Sequence, residues 1–96
     1  MRIAFVIGTV VATMKDEKLR GRKLLLVKEA DLSGKPIGLP FVAIDTVDAG
    51  KGDVVVVTEG SSARQTAQTE SLPVDAVIIA VVDSMETEGK ATFHKS

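Results

Sequence analysis

The sequence predicts an all-β domain of five strands with one short helix, and three observations lead there. First, 14 Val, 6 Ile and 8 Thr make 28 of 96 positions β-branched. Such side chains are stiff at χ1 and suit a pleated, half-buried surface. Second, short apolar runs alternate with clusters of Gly, Pro, Asp and Ser, the punctuation of strands and turns. Third, only one stretch carries helix-capping chemistry. An apolar fraction of 45% beside 26% charged residues marks a folded chain rather than a disordered one.

Arg2–Thr13 reads as a long first strand, bent at Gly8, because an interior glycine often marks a bulge or a barrel corner. A charged loop from Met14 to Arg22 leads to a second strand, Lys23–Glu29, centred on Leu24-Leu-Leu-Val27. Asp31–Gly38 is a turn-rich connection, and Phe41–Val47 the third strand. Asp48-Ala-Gly-Lys-Gly52 is a tight turn before a fourth strand, Asp53–Thr58. Ser62 and Gln65 then form an S-x-x-Q capping box, which starts a helix over Ala63–Glu70 that Ser71-Leu-Pro73 stops. Val77–Met85 is the fifth strand, and Glu88-Gly89 a turn into a short tail. The barrel domain is expected over 1–86, with 87–96 as a C-terminal tail or short strand.

Stability is the difficulty for a chain this small, which buries roughly 60–65% of the surface its unfolded form exposes. With no cysteine, disulfides and thiolate metal sites are excluded, which leaves association as the remaining support. Leu24–Val27, Val54–Val57 and Val77–Val82 are apolar on both faces, whereas a half-buried antiparallel strand should alternate. One short helix cannot cover three outer faces. The expectation is that another copy of the chain covers them, with covering by barrel ends and loops as the alternative.

Charge and motif content exclude several functions. The net charge of −1 disfavours nucleic acid or an anionic membrane as partner, although residues 1–28 carry a local +5 and residues 29–96 a local −6. No apolar run reaches the ~18–20 residues of a membrane span. The apolar stretch after Arg2 lacks the charged start and the cleavage site of a signal peptide, so a cytoplasmic location is expected. His94, the only histidine, stands in the tail and finds no nucleophile to serve. Asp45, Asp48 and Asp53 surround Gly50-Lys51-Gly52 without calcium-loop spacing, and that turn completes no phosphate-loop pattern. Asp75 and Asp83 bracket the fifth strand ~25 Å apart, too far to share a proton. The chain is expected not to be an enzyme and to need neither metal nor cofactor. A five-stranded barrel suggests an oligonucleotide-binding fold, which leaves a small ligand- or nucleic-acid-binding module as the alternative function. Three Phe without Tyr or Trp make a poor stacking surface for it. Arg64 lies near the start of the short helix, where the dipole mildly disfavours a cation; either it answers to something outside the helix or it is a solvated Arg that costs only about a few tenths of a kcal/mol.

Several segments together resemble the EutN/CcmL family of bacterial microcompartment vertex proteins. They are Val6–Thr13, Gly21–Val27, Val42-Ala-Ile-Asp45, Ala49-Gly-Lys-Gly52, Gly60-Ser-Ser-Ala-Arg64, Pro73-Val-Asp-Ala76 and Val81-Val-Asp83, in the family's order. The resemblance implies a small closed five-stranded OB-like β-barrel with one short α-helix. It also implies a homopentamer that caps the vertices of a polyhedral shell among hexameric facet proteins. A sheet of six-fold tiles cannot close without five-fold points, so the implied work is structural. Gly60, Ser61, Ser62, Ala63 and Arg64 match the family's signature segment, whose implied place is near subunit contacts. Asp48 and Ala80 stand where the family often has Gly, and Asp53 where it often has Glu.

Overall fold

The computed structural model describes residues 1–13, 17–60 and 75–95. Five strands close into a barrel in the order β1-β2-β3-β5-β4: β1 (Arg2–Val10), β2 (Lys23–Ala30), β3 (Pro36–Asp45), β4 (Val54–Glu59) and β5 (Ala76–Val81). All neighbours are antiparallel except β3 and β5, which run parallel at Ile44↔Val77 and Asp45↔Ile78. This is the OB-like barrel that the sequence predicts. The expected helix over Ala63–Glu70 lies outside the described residues. Among the described residues a single 3-10 turn, Glu17–Leu19, is helical, and no helix is long and apolar enough to cross a membrane.

The interior is one layer of small and branched side chains. Ala4, Val6, Leu25, Val27, Ala43, Val55, Val57 and Ile78 are all buried there, with Phe41 and Val81 packed against them. A narrow barrel leaves room for such residues and little else, which explains the many Val and few aromatics. The first strand bends where Gly8 predicts: the β1–β2 register shifts between Val6 and Gly8.

Several boundaries differ from expectation; β1 stops at Val10 rather than Thr13, and β3 ends at Asp45 rather than Val47. The third strand begins at Pro36 rather than Phe41. Pro36, Gly38 and Pro40 are poor strand residues, but here Gly38, Leu39 and Pro40 together oppose Lys28 alone in a bulge between the pairs Val27↔Phe41 and Glu29↔Ile37. The fifth strand stops at Val81, where the chain leaves the barrel. Residues Ser84–Thr87 and Lys90–His94 then form a separate hairpin, β6 and β7, in place of a frayed tail. Its two-residue turn has both Glu88 and Gly89 at positive φ, 53° and 79°, as a type I′ hairpin turn requires.

The chain covers part of its own outer surface, which corrects the expectation that a second copy does all of it. Ile44 and Val77 face outward, because Ala43 and Ile78 beside them face in. Both are buried in a second cluster, packed against Leu19 of the 3-10 turn and against Leu24 and Ile79. Val54 also faces outward and is 1% exposed. Gly34 of the β2–β3 turn sits on it, and Phe93 of β7 sits on Gly34. Loops that read as polar connections in the sequence carry Leu19 and Gly34 to these places.

The β2–β3 turn is held by Asp31. Its Oδ1 accepts hydrogen bonds from Ser33 Oγ (2.7 Å), Ser33 N (2.9 Å) and Lys35 N (3.0 Å). The Ser33 hydroxyl first, then the Lys35 amide, hold the carboxyl below its ordinary pKa of 3.8.

Two outcomes follow from these contacts. Gly34 has φ +85°, and a Cβ there would lie 2.5 Å from the Phe93 ring. Gly34→Ala should therefore cost about 1–3 kcal/mol in a denaturant titration, whereas Gly50→Ala, which meets open space at ordinary φ, should stay close to the parent. An Asp31 pKa lowered by folding stabilises the fold above the ordinary carboxylate value, and that contribution vanishes as pH falls through the folded value. Asp31→Ala should accordingly flatten the acid limb of stability against pH below about pH 4; an unchanged limb would contradict the turn's role.

Candidate assembly site

Gly60, the first residue of the segment singled out in the sequence, follows directly on β4 where it meets β5. Glu59, the last residue of β4, pairs with Ala76, the first of β5. One step further, Gly60 N–H donates to the Asp75 carbonyl at 2.8 Å, and Gly60 takes φ +63°. Both ends of the excursion between β4 and β5 are thus tied to each other at the barrel rim. Gly60 is the described member of the signature. Ser61, Ser62, Ala63 and Arg64 lie outside the described residues, as does the capping-box partner Gln65.

Arg2 at the start of β1 braces this root. Its Nε lies 2.6 Å from Glu59 Oε1, and its Nη2 donates to Glu59 Oε2 at 3.0 Å. Its Nη1 reaches Glu29 Oε1 on β2 at 3.3 Å, and the guanidinium lies over the Phe41 ring of β3, 4.2 Å from its centre. One side chain therefore touches the rims of β2, β3 and β4 from β1. The pairs are part-exposed, so each contributes only about 0–1 kcal/mol, and the arrangement does more for orientation than for stability. Sequence reading missed this cluster, since Arg2, Glu29, Phe41 and Glu59 share no local spacing. Only the barrel register brings them together.

The acidic residues at the opposite turn have structural partners. Lys23 Nζ lies 3.5 Å from Asp45 Oδ2 and 3.4 Å from Asp48 Oδ1, and donates to the Ala49 carbonyl. Asp45 Oδ1 also accepts from Val47 N at 3.0 Å. Asp48 has φ +58°, a conformation that Gly adopts without strain and Asp tolerates. Asp53 Oδ2 accepts from Gly50 N at 2.9 Å, and its Oδ1 lies 3.7 Å from Lys95 Nζ. Asp75 and Asp83 each use a backbone carbonyl, Asp75 for Gly60 N and Asp83 for Lys95 N at 2.7 Å. Among the described residues no three His, Asp or Glu side chains converge as metal ligands.

His94 stands on β7, opposite Ser84, rather than in a loose tail. With Lys51, Gly52, Asp53, Phe93 and Lys95 it lines an open polar depression of about 290 Å³. Phe41 lies under the Arg2 guanidinium, and Phe93 lies over Gly34 while also lining this depression.

Comparison with known proteins agrees with this architecture. Residues 1–83 match the family described as ethanolamine utilisation protein EutN/carboxysome. The bacterial microcompartment shell vertex protein EutN of Salmonella typhimurium is 43% identical over 95 residues, covering 99% of this chain and 96% of that protein. The solved structure of CcmL from Nostoc sp. PCC 7120 superposes with a TM-score of 0.92 at 43% identity, covering 99% of this chain and all of that one. GrpN from Rhodospirillum rubrum, a pentameric microcompartment shell protein, superposes with a TM-score of 0.81 at 45% identity, covering 91% and 99% of the two chains. With nearly every residue of the barrel matched in sequence and in space, the chain belongs to the EutN/CcmL family.

Proposed function

We propose that this chain is a structural protein of a bacterial microcompartment shell, where five copies form a ring that caps a vertex. The observation that carries the reading is its likeness, over almost the full length of both chains, to GrpN, a pentameric shell protein, and to EutN, a shell vertex protein. The ring sits among hexameric facet proteins, because a closed polyhedron of six-fold tiles requires five-fold points. The protein acts by shape, without catalysis, cofactor, nucleic acid or membrane, and works in the bacterial cytoplasm. In support, the carboxylates of Asp45 and Asp53 are taken up in turn and ion-pair geometry, by Lys23 and by the Gly50 amide.

The signature Gly60, Ser61, Ser62, Ala63 and Arg64 belongs at the contact between subunits of the ring. Support comes from Gly60 alone, which follows directly on β4, donates to the Asp75 carbonyl and stands next to Glu59, the partner of Arg2. A contact segment must leave the barrel in one direction if it is to meet the same surface five times.

Native mass spectrometry at low micromolar concentration should give about 50 kDa, five chains of 10.1 kDa. A monomer of 10.1 kDa would contradict the reading. The double variant Ser62→Ala, Arg64→Ala should dissociate the ring at milder denaturant than unfolds the subunit. Dissociation indistinguishable from the parent would remove the signature from the contact.

A further inference from the structure

The outer face of the barrel carries several apolar patches, and the chain treats them differently. On β2 and β3 two cross-strand pairs point outward side by side, Leu24–Ile44 and Leu26–Val42. Leu19 covers the first, leaving Ile44 buried. The second pair is open: Val42 is 45% exposed. The row continues onto β1, where Leu26 pairs with Gly8. Gly8 adds no side chain, and a Cβ built there meets nothing within 4 Å. Gly8, Leu26 and Val42 thus form a low apolar strip across three strands. At its margin the three-residue bulge of β3 presents Leu39, 87% exposed between Gly38 at φ +77° and Pro40. Bulges re-aim side chains, and this one turns a large apolar group into solvent on a stiff frame.

We infer that this strip, Gly8–Leu26–Val42 with Leu39 at its edge, is the docking face for the next copy of the chain in the ring. The assignment rests on the pentameric reading and names its surface. A five-fold ring uses heterologous contacts, so each subunit needs a face that meets a different surface of its neighbour. The strip suits that task in three ways. It is continuous with the self-covered Leu24–Ile44 pair, so a neighbour seated on it would extend a layer that Leu19 begins. It is flat at Gly8, where an approaching chain meets backbone. It also has one projecting anchor, Leu39, of the kind that fills a pocket at an interface centre. Lys28, the one residue opposite the bulge, borders the strip and sets its charged margin.

Gly8 makes the inference testable without harming the subunit, because its φ is ordinary and the space above it is open. The proteins to compare are the parent, Gly8→Arg, Val42→Glu, and Lys90→Glu as a control on the remote hairpin, by native mass spectrometry across a dilution series. Circular dichroism verifies that each variant retains its strands. The parent and Lys90→Glu should remain pentameric, while Gly8→Arg and Val42→Glu dissociate at concentrations at least ten-fold higher. A pentameric parent with both strip variants equally pentameric would overturn the inference alone and assign the strip to another partner, such as a facet protein. A monomeric parent would overturn the pentameric reading, and the inference with it.

Discussion

The strands of this barrel carry apolar side chains on both faces, and the rest of the structure answers that constraint. The interior holds a single layer of Ala, Val, Leu and Ile. Every outward apolar residue must then be covered by something outside the barrel wall or be left wet. At about 25 cal/mol per Å² of apolar surface, a few bare Val and Leu side chains matter to a 96-residue domain of marginal stability. Ile44 and Val77 are covered by Leu19, and Val54 by Gly34. The loop before β2 and the turn after it act as lids on a barrel too small for a second layer. Phe93, over Gly34, also fastens the C-terminal hairpin, which pairs with no barrel strand. An isolated two-stranded hairpin is marginal in water, and among the described residues this contact and the Lys95–Asp53 pair help to hold it against the barrel.

The barrel rim has a different job. Arg2 gathers Glu29, Phe41 and Glu59 around the place where the chain leaves β4, and Gly60 ties that exit to the entry of β5. None of these contacts is strong. Together they set a direction, which is what each subunit of the proposed ring would need. The carboxylates elsewhere serve local geometry: Asp31, Asp45 and Asp53 hold turns, as Glu29 and Glu59 hold Arg2.

Much of this was legible in the chain itself. Runs of Val between Gly and Asp clusters place four of the five strands within a few residues, and Gly8 marks the bend of the first. Asp48-Ala-Gly-Lys-Gly52 reads correctly as a turn because each residue type there has a local conformational reason. The start of β3 was hidden, since Pro36, Gly38 and Pro40 argue against a strand until a bulge gives them a place. The closing hairpin was half legible: Glu88-Gly89 reads as a turn and 87–96 as a tail or short strand, but Ser84–Thr87 and Lys90–His94 lack the strong apolar alternation that would announce their pairing. Two-faced strands pointed to association, but for partly different residues: Ile44, Val54 and Val77 are covered at home, whereas Val42 and Leu39 remain open. Periodicity identifies which residues face outward, and it cannot say which loop will fold back over them. The signature segment was legible only through its resemblance to a family. Of its five residues the structure describes Gly60.

The central claim is that a neighbouring copy covers what the chain leaves bare, and the lack of native cysteine allows a direct measurement. A single thiol introduced as Val42→Cys reports its own solvent access by its labelling rate, with Lys90→Cys as an exposed reference. In the assembled ring the thiol at position 42 should label at least ten-fold more slowly than the reference, and the two should converge when dilution releases subunits. Equal rates in the intact ring would contradict the account.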